Sequence, residues 1–143
     1  MADGHKDYSG TPLWKKLGIT REARVRVIGA PEGFAEELVR IAPIPHAVEF
    51  LSRARKGLDV AVVFATRQAD LERGFDTVKQ SLEIDGRLWI AWPKKASKVP
   101  TDITFESAQG FGLASGMVDN KTAAIDAVFQ GLQFVYRVKD RGR

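Results

Sequence analysis

Past the apolar run Leu88–Trp92 the chain stops at Pro93 and then presents Lys94, Lys95 and Ser97 together, in the stretch WPKKAS. Lysine ammonium groups are compact point charges suited to phosphate or carboxylate. Ser97 adds a hydroxyl and Trp92 an aromatic wall, so the chemistry on offer is anion binding. The plain alternative keeps Trp92 in the core and the lysines in water. A second polar cluster, VDNK, places Asp119, Asn120 and Lys121 on an apolar background. It reads either as a polar network facing the same cleft or as a turn or bulge held by side-chain bonds to backbone. The third candidate is GAPEGF, where Gly29 and Gly33 permit the tight turn that lets a ligand approach backbone amides. Pro31 has no amide hydrogen to give, however, and Glu32 puts negative charge where a phosphate would sit. The fingerprint G-x-G-x-x-G is absent. Glu49 is a candidate partner for a ribose hydroxyl, or an ordinary exposed acid.

Other chemistry finds little support. The chain has no cysteine, which removes disulfides, thiol catalysis and cysteine metal sites. His5 and His46 are its only histidines, and no ligand cluster has metal-binding spacing. Neither a P-loop nor a G-x-S-x-G nucleophile turn is present. The carboxylates are scattered, so no acid/base pair and no catalytic residue can be named, and no cofactor is assigned. Net charge is +4 over 143 residues. Part of it lies in Arg137, Lys139, Arg141 and Arg143, a sparser run than nucleic-acid arms carry. No apolar run approaches the roughly 20 residues of a membrane helix. The start, MADGHKDYSG, lacks a signal-peptide core. The expectation is a bacterial-type, cytoplasmic protein with no membrane or nucleic-acid partner.

The elements that must position these groups follow from periodicity. Residues 1–10 read as a flexible arm. YSGTPLWKKLG reads as a short helix capped by Ser9 or Thr11, and ARVRVIG as a first strand whose alternation leaves one face partly covered. A helix over FAEELVRIA, a strand over HAVEFL and a third strand over LDVAVVFAT follow. Leu71, Phe75, Val78 and Leu82 make one apolar stripe, which predicts a helix over 68–83. DGRLWIAW is a fourth strand, entered by an Asp-Gly turn. Thr101 or Thr104 opens a further helix, and GMVDNKTAAID with GLQFVYRV forms a closing hairpin turning over AVFQG. This order predicts a single α/β domain over 11–138, followed by a basic tail over 139–143. Its sheet has about six mostly parallel strands, helices on its faces and an antiparallel C-terminal hairpin.

The phrase GFDTVKQSLEIDGRLWIAWP, with the closing hairpin, resembles the class I methyltransferases, and so implies a reduced Rossmann-like, methyltransferase-like sheet. Taken together, YSGTPLWKKLG, APEGF, WIAWPKKAS, GMVDNKTAAID and GLQFV resemble a bacterial family of small proteins, the domain-of-unknown-function family three-zero-five-two. The likeness runs from Tyr8 to Arg137 and implies one compact domain, with no activity to carry over. That family's pattern has a glycine where this chain has Lys98, and an acidic residue where it has Ala127.

Ligands of open α/β sheets bind outside the carboxyl ends of the strands. The first reading is therefore a binding domain for a small anionic or nucleotide-like ligand, held by Gly29, Gly33, Lys94, Lys95, Ser97, Asp119, Asn120 and Lys121. The alternative is a non-catalytic interaction module that contacts an acidic protein or forms a homo-oligomer through the C-terminal hairpin.

Overall fold

The computed structural model describes residues 10–53 and 55–141. The arm over 1–9, with Ser9 and His5, and the terminal Arg143 lie outside the described residues. Helix α1 (Leu13–Lys16) leads into β1 (Arg24–Ile28), α2 (Phe34–Leu38), β2 (Glu49–Phe50), β3 (Leu58–Phe64) and α3 (Gln68–Lys79). Strand β4 (Leu82–Pro93), a 3-10 turn (Lys95–Ser97), α4 (Phe105–Ala114), β5 (Met117–Ala124), β6 (Phe129–Tyr136) and α5 (Val138–Arg141) complete the order. The six strands form one sheet in the order β2-β1-β3-β4-β6-β5. Strands β2, β1, β3 and β4 run parallel, and β6 returns antiparallel between β4 and β5. The predicted fold class holds.

Burial explains the strand sequences. Strands β3 and β4 are flanked on both sides, and β3 is an almost continuous apolar run, as a strand covered on both faces requires. Two cores lie on opposite faces. On one, Leu71, Phe75 and Val78 of α3 and Ala108 of α4 pack on Ala61, Val63, Leu88, Ile90 and Phe134. On the other, Leu13, Leu17, Phe34 and Leu38 cover Val25, Val60, Val62 and Trp89. The Trp89 indole N–H donates to the Leu17 carbonyl at 3.0 Å, which pins the chain after α1 to the sheet.

Several boundaries differ from the sequence expectation. Helix α3 ends at Lys79, because Leu82 already pairs with Leu58 and the Ser81 carbonyl accepts from Leu58 N–H. The Asp-Gly pair lies inside β4, where the register with β3 shifts between Leu58 and Val60. Helix α2 stops at Leu38, its second buried residue, and β2 shrinks to two exposed residues. Pro12, rather than Thr11, occupies the cap position of α1. The hairpin turns earlier than AVFQG, because the Asp126 carboxylate accepts from Val128 and Phe129 N–H at 2.9 and 2.7 Å. Helix α4 opens at Thr104, which forms a reciprocal capping box with Ser107.

Candidate functional site

Strand β1 is followed by α2 and β2 on one side of the sheet, and β3 lies on its other side. The sheet therefore divides between β1 and β3, and a cleft of about 580 Å³ opens there. Ile28 and Gly29 end β1 on its rim, and Phe64, Ala65 and Thr66 end β3. Asp70, Arg73, Gly74 and Thr77 of α3 form one wall, and Phe129 of β6 closes another side. Gly29 has φ +72°, and a Cβ there would sit 2.7 Å from the Phe64 carbonyl oxygen. That close approach of backbone to backbone explains why this position takes glycine. Gly74 likewise brings α3 down onto Val63, since a Cβ there would strike its side chain.

Most polar groups of the cleft are already engaged. Arg73 Nη1 donates to Asp70 Oδ1 at 2.7 Å, and Thr77 Oγ1 donates to the Arg73 carbonyl at 2.8 Å. The Thr66 carbonyl accepts from Thr101 Oγ1 at 2.6 Å. Arg26, in the middle of β1, is different. Its side chain lines the cleft, and its Nη1 is the one fully buried side-chain nitrogen or oxygen among the described residues that lacks a hydrogen-bond partner. A buried donor left unpaired costs about 1–3 kcal/mol, more when charged.

The residues singled out in the sequence do not converge here. Gly29 lines the cleft, whereas Gly33 caps α2 at φ +90° outside its lining. Lys94 borders a separate groove with Thr122, Ala123, Ala124, Gln130 and Gly131, and Lys95 is exposed in the 3-10 turn. Ser97 Oγ donates to the Lys94 carbonyl and accepts from Val99 N–H, so it holds the turn. VDNK is a bulge, with the register shift between Asp119 and Lys121. Asp119 accepts from Gln109, Asn120 accepts from buried Gln133 at 2.8 Å, and Lys121 Nζ reaches the Lys16 carbonyl at 3.1 Å. The structural alternative accounts for each of these contacts. Arg26 was missed, although its signal was present: a charge in mid-strand, on the face opposite Val25, in a strand with a neighbour on each side.

No protein-family model matches the chain and no curated protein does, so the likeness to the family of unknown function rests on the quoted motifs. Solved structures do match. A SAM-dependent methyltransferase from Aquifex aeolicus is 13% identical with TM-score 0.54, covering 85% of this chain and 86% of that one. The N-methyltransferase NodS from Bradyrhizobium japonicum is 10% identical with TM-score 0.52, covering 85% and 90%. The fibrillarin pre-rRNA processing protein of Methanococcus jannaschii is 13% identical with TM-score 0.56, covering 82% and 68%. The fold is thus that of the SAM-dependent methyltransferases, a mixed α/β sheet closed by an antiparallel hairpin.

The residues present do not fit the methyl donor that this fold implies. The turn after β1 carries Pro31, whose carbonyl accepts from Phe34 N–H, in place of a run of free amides. Glu49, the candidate ribose partner, pairs in register with Arg24 at the amino end of β1. It forms ion pairs there with Arg24 at 3.9 Å and Arg55 at 3.3 Å. On the α2 face the rings of Phe34, Phe64 and Phe129 pack edge to face, with centroids 5.1 and 5.2 Å apart. Among the described residues no group of three or more His, Asp or Glu side chains could hold a metal ion, and no helix is long and apolar enough to cross a membrane.

Proposed function

We propose that this domain binds a small anionic ligand in the cleft at the carboxyl ends of β1 and β3, with Arg26 as the anchoring cation. The observation that carries the reading is Arg26 in the lining of that cleft, with its Nη1 buried and without a hydrogen-bond partner. A guanidinium held without its full set of acceptors binds an anion strongly, because desolvation has been met during folding and the paired state removes the deficit. The apolar rim formed by Ile28, Phe64, Ala65 and Phe129 holds the body of the ligand. The methyltransferase-like fold supports a ligand at this end of the sheet. Lys94 and Lys95 border other surfaces and are bystanders.

Chemical-shift mapping of the full chain against small organic anions tests this reading. Perturbed amides are expected at Ile28, Gly29, Phe64, Ala65 and Thr66. They disappear in Arg26→Gln and persist in the Lys94→Ala/Lys95→Ala double variant. The opposite pattern, lost in the double variant and kept in Arg26→Gln, refutes the assignment.

A further inference from the structure

We infer that the ligand of this cleft is a singly charged carboxylate on an apolar body, not a nucleotide or other phosphate ester. This rests on the anion-binding reading above and adds the charge and apolar character of what binds. Charge sets the first limit. The ionisable side chains lining the cleft are Arg26, Asp70 and Arg73. The last two neutralise each other through their 2.7 Å ion pair. One uncompensated guanidinium remains, enough to balance one negative charge. A phosphate ester carries about −1.5 to −2 near neutral pH. Its second charge has only the Asp70–Arg73 ion pair to face, whose net charge is zero. Arg67 lines an adjoining groove with Asp102 and does not supply the missing cation.

Donor supply sets the second limit. Phosphate sites rely on several backbone N–H groups at a turn or a helix start. Three of the donors at this end of the sheet are engaged or missing. Gln68 N–H, at the start of α3, donates to the Asp102 carboxylate at 2.7 Å. Ala65 N–H donates to the Ala91 carbonyl at 3.0 Å, and Pro31 has none. A carboxylate needs less. Two parallel N–H bonds from one planar guanidinium match its two oxygens, and Arg26 is the guanidinium of the lining without a carboxylate partner. The lining agrees with this. Ile28, Phe64, Ala65 and Phe129 are its apolar members, suited to the apolar body of an organic acid.

Three probes of one shape test the inference on the full chain by NMR titration: 2-naphthoate, 2-naphthyl phosphate and neutral 2-naphthamide. Naphthoate is expected to bind with shifts at Ile28, Gly29 and Phe64–Thr66, and to lose about tenfold in affinity or more in Arg26→Gln. Naphthyl phosphate is expected to bind about tenfold more weakly at about pH 8, with the gap closing at about pH 5, where it is a monoanion. Equal or tighter binding of the phosphate at the higher pH overturns the carboxylate inference and leaves the cleft reading standing. Binding of naphthamide as tight as naphthoate, or naphthoate affinity unchanged in Arg26→Gln, removes the role of charge. Absence of cleft shifts with all three probes overturns both readings together. Circular dichroism confirms that Arg26→Gln is folded, and Arg26→Met, which keeps the aliphatic stem, replaces it if it is not.

Discussion

Helix α4 contains two glycines that look equivalent in sequence and are opposite in structure. Gly110 has nothing within 4 Å of the place where a Cβ would stand, whereas at Gly112 a Cβ would overlap the ring of Phe134. That ring is fully buried and packs edge-on against Phe75 with centroids 5.6 Å apart, while Phe75 in turn meets Phe111 at 5.3 Å. The stack has no free side to retreat into. Alanine in place of either glycine gains about 1 kcal/mol of helix propensity. At position 110 that gain is realised, so Gly110→Ala is expected to be more stable by about 1 kcal/mol. Position 112 meets the same gain with an overpacking cost of about 1–3 kcal/mol. The difference between the two variants therefore isolates the steric term. Urea unfolding followed by tryptophan fluorescence reads it directly, because Trp89 and Trp92 lie in the sheet beneath the helices. Gly112→Ala is expected to lie about 1–3 kcal/mol below Gly110→Ala at unchanged m-value. Equal stability of the two would refute the claim that α4 is seated by the absence of a side chain at residue 112.

Three further outcomes are expected. Lys98 follows the 3-10 turn at φ +62°, a left-handed conformation, so Lys98→Gly should raise the urea midpoint by the equivalent of about 1 kcal/mol; a lowered midpoint counts against it. Arg26→Met should raise the melting temperature, since it removes an unpaired buried donor worth about 1–3 kcal/mol while abolishing anion binding; a loss of stability on that scale means that Arg26 is structural. Burial raises the Tyr136 phenol above its ordinary value of 10.0. The folded state thus holds its proton where the unfolded chain has released it. The stabilisation is complete below about pH 10 and is lost as pH rises through the folded value. Tyr136→Phe should show a shallower alkaline loss of stability in chemical unfolding, and an identical pH profile would contradict the assignment.

The fold was legible because its strongest signals are local and redundant. The apolar run through Val60–Phe64 and the stripe Leu71–Phe75–Val78 each announce their element without tertiary information, whereas the choice between Thr101 and Thr104 as the cap of α4 was settled only by the bonds between Thr104 and Ser107. The left-handed φ of Lys98, by contrast, has no local signal in KKASK. Boundaries were less legible, because α3 ends where Leu82 must meet Leu58, a pairing set by sheet register rather than by periodicity. The site was only half legible. The place of the proposed cleft at the strand ends follows from topology, and Gly29 is the one residue singled out in the sequence that lines it. Lys94 and Lys95 were chosen for their charge and nearness to a buried strand, but such reasoning cannot tell which side of the strand end a loop will take. Arg26 carried a better signal, an ion in a strand with a neighbour on each side, yet the alternation along β1 was read only as one face left partly covered.

Strand β1 has unequal neighbours. Four register pairs tie it to β3, and only two tie it to β2, both of whose residues are solvent-exposed. Amides on that flank should exchange with deuterium through small openings long before the β4–β6 ladder does. A molecule held between Arg26 and the α3 wall would lock β1 in place, slowing exchange over Arg24–Ile28. Occupancy would then be reported as the hardening of a soft margin, with no hinge and no travelling loop.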